Sequence, residues 1–391
     1  MEAILMPFKF SHSGDFHLEE DRYFADTAQC IEWFVEDGIR QGTNLFVLNG
    51  DLTTYKQTIR ERKFWVDAII RMAEHAPVLL IAGNHGKELE NDLYPLANVR
   101  GKHPVFLCTD PDFIELDHVS IAVFPYPRKE EFVCAAEDGG LAQAFQAKLQ
   151  EFDRQFERRQ DSYRLLFGHF GVTGARVSSG QPLVGRCAEY PLPPLLGLRA
   201  QYVGLSHIHL RQQLGPRVWY AGSLSRCDYS EVEDKGYNLV TLRSPELRPD
   251  LSDMEIAFRK SPTRPMVELQ AVYENGELRL PKDFDPAALK DSRVKVVVRV
   301  PNGPERLLSR EQQENLKEKL LAAGPVELKV KIEREAEYPA DPAPIASARS
   351  AEDKLRAYWT TKGFPEPDHQ KRLLTKLTEL EVKVTGEPRR M

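Results

Sequence analysis

The chain has 391 residues, which exceeds the usual size of one compact domain, so we expect two or three structural units. Hydrophobic residues make up 41% of the chain, enough to build real cores. The formal net charge of −6 argues against a polycation that coats nucleic acid through its average charge, although a local basic groove can still hold DNA.

The cysteines and the hydropathy pattern indicate the compartment. Five cysteines are scattered without a C-x-x-C pair, which argues against a zinc finger or a disulfide framework and suits a reducing cytoplasm. The N-terminus lacks a basic segment followed by an apolar one, and no apolar stretch is long enough to cross a bilayer. We therefore expect a cytoplasmic protein that does not associate with membranes.

Strand and helix patterns alternate through the first half of the chain. Apolar residues at helical spacing predict a helix over 23–40, and a second stripe around Trp65 predicts another that stops before Pro77. Short apolar runs bounded by glycine and polar residues predict buried strands. These runs are 45–48, 78–81, 164–167 and 202–205. Strands alternating with helices are typical of an α/β domain.

Residues that can bind metals follow most of these strands in five short clusters. Any one cluster occurs by chance in many proteins, but five in this order argue for a common site. Because open α/β sheets place their sites at the carboxyl ends of strands, we expect the clusters to meet there. They supply seven candidate ligands: Asp15, His17, Asp51, Asn84, His169, His207 and His209.

The residue types in these clusters favour borderline divalent metals. Mixed aspartate, histidine and asparagine ligands suit manganese, iron or zinc, whereas carboxylates alone favour magnesium or calcium. A carboxylate shared by two ions holds them roughly 3.5–4 Å apart, the spacing that clamps the attacking and leaving oxygens of a phosphoryl group. Asp51, preceded by Gly50, is the natural bridging residue. The alternative is that these histidines are ordinary loop or core residues.

The set and order of the clusters resemble the calcineurin-like metallophosphoesterases. A later stretch narrows the match, since YAGSLSR at 220–226, DYSE at 228–231 and KGY at 235–237 are similar to the segment closing the nuclease domain of the SbcD family. These proteins are DNA double-strand-break repair exonuclease subunits, cellular or virus-encoded. The opening FSHSGDFHL at 10–18 fits that family too. The family fold is a sandwich of two central sheets flanked by helices.

The resemblance implies two divalent metal ions, with manganese as the family expectation and iron or magnesium as alternatives. One ion would bind Asp15, His17, Asp51 and His209. The other would bind Asp51, Asn84, His169 and His207. A water activated by both ions would hydrolyse phosphodiester bonds of DNA, as an exonuclease on duplex ends and as an endonuclease on single strands.

Three further residues near these clusters have expected roles. His85 follows Asn84 and is spare in the metal count. In the family that histidine contacts the scissile phosphate and helps the leaving oxygen depart, so we expect catalysis rather than orientation of a ligand. His12 lies on the strand before Asp15, where alternation turns it away from the metals, so a structural role is expected. Arg226 would either face phosphate or form a structural ion pair.

The pattern changes after the closing segment. Alternating strands at 294–300 and 326–332 flank a helix that begins with a capping box from Ser309 to Gln312. This predicts a small α+β unit, which in SbcD-like proteins caps the nuclease and helps select DNA. A Pro/Ala-rich linker follows, and then two amphipathic helices, one starting at Ser350 and one near Asp368.

We therefore divide the chain into four parts. They are a nuclease domain at 1–248, a capping domain at 258–335, a linker at 336–349 and a helical partner-binding region at 350–391. The two terminal helices either fold back onto the capping domain or dock on a partner. In SbcD-like nucleases this region binds the coiled coil of an SbcC-like ATPase, and we favour docking. The resemblance also implies a homodimer through the nuclease domain.

Departures from the family pattern leave the branch, substrate preference and cleavage polarity open. Ser206 stands where the family usually has glycine, Gly86 where it has an acidic residue, and Thr54 where many relatives have histidine or aspartate. Two other functions are possible on the same fold, a small-molecule or cyclic-nucleotide phosphodiesterase and a non-catalytic scaffold. The tethered helices and capping domain argue against the first, and the complete ligand set argues against the second.

Overall fold

The computed structural model describes residues 6–85, 92–127, 140–178, 189–274, 277–281, 284–300, 309–334, 350–362 and 366–385. Its contacts divide the chain into two compact units. The first comprises residues 1–268, 286–295 and 323–328, and the second comprises 269–285, 296–322 and 329–391. The domain boundaries drawn from the sequence stay predictions.

The first unit contains two six-stranded sheets within its described residues. In spatial order, the first sheet consists of β14 (Met254–Lys260), β13 (Gly236–Leu242), β1 (Phe8–Ser13), β2 (Leu45–Asn49), β3 (Val78–Ile81) and β4 (Val105–Cys108). Strands β1 to β4 run parallel, and β13 is antiparallel to both of its neighbours. The predicted strands at 45–48 and 78–81 are confirmed here.

The second sheet has three parallel strand pairs at its centre and antiparallel edges. In spatial order it consists of β11 (Gln212–Gly215), β12 (Val218–Tyr220), β10 (Tyr202–Ser206), β7 (Tyr163–His169), β6 (Val119–Phe124) and β5 (Asp112–Leu116). Strand β10 is parallel to β12 and β7, and β7 is parallel to β6. A separate small pair joins β8 (Gly171–Val172) and β9 (Glu189–Tyr190).

Helices cover the outer faces of both sheets. On the first sheet lie α1 (Phe24–Arg40), α2 (Ile59–Ala73) and the short α3 (Tyr94–Ala97), and on the second lie α4 (Leu141–Arg158) and α5 (Pro193–Leu196). Side chains between the sheets, such as Phe10, Val47 and Leu165, form a third apolar layer. The predicted α/β sandwich of two sheets flanked by helices is therefore confirmed.

The predicted stripe around Trp65 lies on the inner face of α2. Trp65, Ile69 and Met72 are fully buried against the first sheet. Thr58 caps the helix, since its side chain accepts from the Glu61 N–H while the Glu61 carboxylate accepts from the Thr58 N–H. Such a capping box stabilises a helix by about 1 kcal/mol. The apolar stripe and the cap together fix where the helix starts and which face it buries.

A four-stranded sheet and one helix lie between residues 266 and 334. The sheet consists of β16 (Glu277–Arg279), β15 (Met266–Glu274), β17 (Arg293–Val300) and β18 (Glu327–Arg334), in that order, and a 3₁₀ turn spans Pro286–Leu289. Helix α6 (Arg310–Leu321) begins at the Ser309 capping box, so that prediction is confirmed.

The C-terminal helices are α7 (Ala351–Lys362) and α8 (Pro367–Thr385). The Asp353 N–H donates to the Ser350 hydroxyl over 3.0 Å, which confirms the predicted helix start. Helix α8 begins at Pro367, one residue before the predicted Asp368, because proline is well tolerated in a first turn. The predicted linker at 336–349 lies outside the described residues. In the described ranges, no helix is both long and apolar enough to span a bilayer.

Candidate metal centre

The seven predicted ligands lie just beyond the carboxyl ends of strands from both sheets. The first sheet places Asp15 and His17 after β1, Asp51 after β2 and Asn84 after β3. The second places His169 at the end of β7, and His207 and His209 after β10. The predicted position at the strand ends therefore agrees with the structure, and the two sheets meet around one cluster of polar side chains.

Asp15, His17 and His209 form a first group. Their donor atoms all lie within 4.8 Å of one another. The Nε2 atoms of His17 and His209 are 3.1 Å apart, which is within hydrogen-bonding distance. The Asp15 carboxylate is fully buried, and both of its oxygens accept from the His207 N–H, over 3.1 and 3.0 Å.

Asp51, His169 and His207 form a second group with the same spacing. The Asn84 Oδ1 completes it, 2.8 Å from His207 Nδ1 and 3.2 Å from His169 Nε2. The Asp51 Oδ2 lies 3.2 Å from His169 Nε2 and 3.8 Å from His17 Nε2. Asp51 therefore faces both groups, and the division of residues matches the one that the resemblance implies.

Left-handed backbone conformations concentrate at this cluster. Asp15, His17, Asp51 and His207 have φ angles of 51°, 48°, 53° and 92°. Non-glycine residues in this region cost of order 1–3 kcal/mol each, and such strain is typical of functional sites. Gly50 has a φ of 82°, and a Cβ there would overlap the His169 ring, so the position requires glycine on two counts.

Burial and close charges shift the pKa values of these side chains. Burial raises the pKa of Asp15 and lowers the pKa values of His17 and His207 to about 3. Burial alone would also lower the pKa of His169, but the Asp51 carboxylate outweighs it and raises that pKa to about 9. Burial would lower the pKa of His209 too, but hydrogen bonds with Cys227 and Glu231 outweigh it and raise that pKa, so two imidazoles of the metal-free cluster shift in each direction.

This donor set fits a pair of divalent cations. Imidazole nitrogens, two carboxylates and an amide oxygen suit borderline metals. A cation beside Asp15 would favour its ionised form, which burial disfavours. The His169 Nδ1 donates to the backbone carbonyl of Asn49 over 2.8 Å, which directs Nε2 toward the second group.

Glu231 orients His209, a role that the sequence analysis did not assign. The His209 Nδ1–H donates to Glu231 Oε1 over 2.7 Å, so that Nε2 faces the first group. Glu231 Oε2 accepts from the Cys227 N–H over 3.0 Å and lies 3.0 Å from Lys235 Nζ. Burial would raise the pKa of Glu231, but His209 outweighs it and lowers that pKa to about 2. Because ligating histidines usually donate to a carboxylate, an acidic residue in the closing segment was a usable signal.

A cavity of about 210 Å³ opens beside the first group. Its walls include His17, His209, His85, Arg22, Arg226 and Thr54. His85 is exposed there, with its ring centre 5.0 Å from that of His17. The backbone N–H of His85 donates to Asp51 Oδ1 over 2.8 Å. The imidazole of His85 can therefore reach a molecule in the cavity while its backbone supports Asp51.

Arg226 bonds to backbone carbonyls instead of forming the structural ion pair that was one of its two expected roles, and its expected contact with phosphate stays a prediction at the wall of the cavity. Its guanidinium donates to the backbone carbonyls of Glu231 and Glu233, over 2.8 Å each, and to that of Val232 over 3.3 Å. Arg226 therefore holds the turn that carries Glu231, through carbonyl oxygens rather than an ion pair. The sequence could not reveal these hydrogen bonds, because every residue has a backbone carbonyl and the acceptors cannot be recognised by residue type.

The remaining histidines lie apart from both groups. His12 is fully buried and contacts Tyr202 and Asn49, so the expected structural role is confirmed. His75, His118 and His369 are exposed, and His103 is half-buried. Ser206 is buried at the end of β10, and Gly86 lies outside the described residues.

Comparison with known proteins identifies the fold. Residues 8–210 match the sequence model of the calcineurin-like phosphoesterases. No curated protein sequence matches the chain. Among solved structures, a protein from Thermus thermophilus is similar at 12% identity and a TM-score of 0.38, with 64% of this chain and 98% of that chain covered.

Two named phosphatases are similar as well. A dimetal phosphatase from Danio rerio has 11% identity and a TM-score of 0.40, with 65% of this chain and 97% of that one covered. A purple acid phosphatase from yellow lupin (Lupinus luteus) has 11% identity and a TM-score of 0.37, with 65% and 53% covered.

Proposed function

Because this chain belongs to the calcineurin-like phosphoesterase family, we propose that its hydrolase activity is that of a metal-dependent DNA nuclease of the SbcD type. The substrate bonds are phosphodiesters, cut at duplex ends and within single strands. The metals are two divalent ions, with manganese preferred over iron or magnesium. When bound, such ions act as Lewis acids on a phosphoryl group.

One observation carries this proposal. The segment that resembles the end of the SbcD nuclease domain contributes directly to the site, because its Glu231 fixes the ring of His209. Lys235 of the same segment lies 3.0 Å from Glu231 and donates to the His209 carbonyl over 3.1 Å. Two residues of the segment that favours the SbcD branch therefore hold a member of the first group in place.

The side chains around the cavity have distinct tasks in this reaction. Asp15 and Asp51 hold negative charge where the cations bind. His85 donates a hydrogen bond or a proton to the leaving oxygen, since it is exposed beside the first group and ligates neither ion. Arg22 lines the same cavity and is exposed, so it offers a positive charge to a phosphate of the substrate.

The proposed partners follow from the same assignment. DNA is the substrate, and a second copy of the chain binds through the nuclease domain. An SbcC-like coiled-coil ATPase binds helices α7 and α8. On α8 the side chains of Leu373, Leu374 and Leu377 are half-buried, which leaves apolar surface for a partner helix.

A small phosphodiester is the competing substrate class. The cavity of about 210 Å³ beside the first group would hold one phosphoryl unit with a small substituent. A long duplex would have to extend beyond it across the surface. Because a cavity of this size suits a small phosphodiester, the experiment also includes a small substrate.

The test is cleavage of end-labelled linear duplex DNA and of a single-stranded circle by the purified full chain. Reactions contain manganese, magnesium or a chelator, and bis-p-nitrophenyl phosphate serves as the small substrate. Asp51→Ala is the variant that removes the residue facing both groups. We expect manganese-dependent cutting of both DNAs that the chelator and the variant abolish.

Two outcomes would contradict the nuclease assignment. Turnover of the small diester without any DNA cutting, also in the presence of an SbcC-like ATPase, would favour the small-molecule phosphodiesterase. Inactivity on every substrate by protein that holds two metal ions would favour a non-catalytic scaffold.

A further inference from the structure

Asn49 is a buried amide that connects the two sheets beneath the metal centre. It is the last residue of β2 and has no exposed surface. Its Nδ2 lies 3.0 Å from the carbonyl oxygen of Gly168 and 3.2 Å from that of Gly204. Asn49 belongs to the first sheet, whereas both carbonyls belong to the second. One side chain therefore bridges the sheets near the ends of their strands.

The orientation of this amide is fixed by chemistry. Carbonyl oxygens only accept hydrogen bonds, so the amide nitrogen, not the amide oxygen, must face Gly168 and Gly204. The same nitrogen lies 3.1 Å from His12 Nε2, which therefore acts as an acceptor. The His12 Nδ1–H then donates to the Tyr202 hydroxyl over 3.0 Å. An aspartate of the same shape would offer no donor to the two carbonyls.

The contacts of Asn49 with backbone carbonyls and with His169 lead to ligands of the second group. Gly168 immediately precedes His169, and Gly204 lies three residues before His207. The backbone carbonyl of Asn49 accepts from His169 Nδ1 over 2.8 Å. Asn49 itself stands two residues before Asp51. The three residues of the second group thus all adjoin one buried side chain and its carbonyl.

We infer that Asn49 is a positioning residue that sets the distances among Asp51, His169 and His207, and so the affinity of the second metal position. This assignment rests on the metal centre of the proposed function. Asn49 touches no substrate and donates no ligand atom; it acts through the strand ends that it joins. Residues that hold metal ligands in place typically change metal affinity by about 10- to 100-fold when replaced.

Asn238 provides a matched control. It is also an asparagine with no exposed surface and lies on β13. Its Nδ2 donates to the Tyr202 hydroxyl over 3.2 Å, and its Oδ1 accepts from Arg211 Nε over 2.8 Å. Replacing it removes a buried amide of the same kind from the same interior. These two side-chain bonds reach neither a ligand residue nor a carbonyl next to one.

The experiment measures manganese binding by the metal-free full chain, from the paramagnetic resonance signal of free Mn²⁺, together with the melting temperature. We expect Asn49→Ala to weaken one of two manganese sites by about 10- to 100-fold. Asn238→Ala should lower the melting temperature to a similar extent and leave both affinities as in the wild type. Asn49→Asp should also weaken binding, although its added negative charge alone would attract a cation.

Several results would overturn the assignment. If Asn49→Ala and Asn238→Ala bind manganese with equal affinity and differ from the wild type only in a lower melting temperature, Asn49 is an ordinary core residue. If Asn49→Asp binds manganese more tightly than the wild type, the charge at this residue, and not the hydrogen bonds of its amide, sets the affinity. If Asn49→Ala does not fold, the milder pair Asn49→Ser and Asn238→Ser decides by the same criterion.

The same measurement separates this inference from the proposed function. Wild-type protein that binds manganese twice but cleaves no phosphodiester would refute the proposed function and leave the comparison of affinities valid. Wild-type protein that binds no divalent metal would refute both.

Discussion

The two sheets of the first unit contribute to the metal centre in different ways. The first sheet supplies both carboxylates, Asp15 and Asp51, and holds them through left-handed backbone conformations. The second supplies three imidazoles, and two of these donate from Nδ1, His169 to the Asn49 carbonyl of the first sheet and His209 to Glu231. Both carboxylates come from one sheet, and three of the four imidazoles come from the other. The centre therefore exists only where the sheets face each other.

The strongest way to break this division is to remove the carboxylate that faces both groups. Asp51→Asn should eliminate binding at both metal positions and reduce cleavage to background, because the shared negative charge is lost. His207→Ala removes an imidazole of one group only and should leave one metal bound. Metal content per chain after gel filtration measures both. Equal losses in the two variants would contradict the special position of Asp51.

A smaller loss of cleavage activity is expected when a residue that belongs to neither group is replaced. His85→Ala should retain both metals, because its side chain lies outside the two ligand groups. Cleavage should fall by about 10²- to 10⁴-fold, the usual contribution of a positioned acid or base. Metal content and the turnover rate on the same preparation test this. Parallel loss of metal and activity would instead place His85 among the residues that orient ligands.

The orientation of His209 can be tested at Glu231. Glu231→Gln keeps an acceptor for His209 but removes the charge, so metal affinity should fall by about tenfold or somewhat more. Glu233→Gln is the matched control, since Glu233 accepts from the same Lys235 over 2.7 Å but does not orient His209. Calorimetric titration with manganese compares the two. If both variants lose the same metal affinity, the two carboxylates act through Lys235, and the contact of Glu231 with His209 has no separate effect.

The smallest effect on the site is expected from a buried charge on the far face of the first sheet. Asp37 of α1 accepts from Tyr237 and Arg259 over 2.8 Å. Asp37→Asn should lower the free energy of unfolding by about 1–3 kcal/mol, the range for buried hydrogen bonds to charged groups. Metal affinity should not change. Asp67→Asn, at an exposed pair with Lys63, is the control and should have little effect on either quantity.

The pH dependence of that variant gives a second test. Burial would raise the pKa of Asp37, but the hydrogen bonds from Arg259 outweigh it and hold that pKa below its usual range. The stabilisation by its charge is therefore complete above the unfolded pKa of about 3.9 and declines as pH falls through the folded pKa. The stability difference between wild type and Asp37→Asn should narrow below about pH 4. A difference that stays constant in acid would contradict this account.

Local features of the sequence predicted much of this structure. Apolar runs located β2 and β3 because a buried strand needs apolar residues on both faces. The order of the clusters predicted which polar side chains lie together because parallel strands end at one edge. The capping box at Ser309 was readable since it involves residues three positions apart.

Features that join distant parts of the chain were not predictable in this way. Asn49 looked like a polar residue before a glycine, and only the packing of β7 and β10 against it shows what its amide contacts. Arg226 bonds to carbonyls, which any sequence would provide. The left-handed conformations of Asp15 and Asp51 are imposed by tertiary contacts, because neither residue needs them by itself.

The pairing of β1 with β13 has a consequence for the newly synthesised chain. Strand β1 lies beside a strand whose residues, Gly236 to Leu242, are added more than 220 positions later. Until then β1 presents an unpaired edge, and the His209 ring lacks the turn that carries Glu231. Closing so long a loop makes sheet completion a late event. Fragments released before β13 would lack a complete centre and would expose a strand edge prone to aggregation.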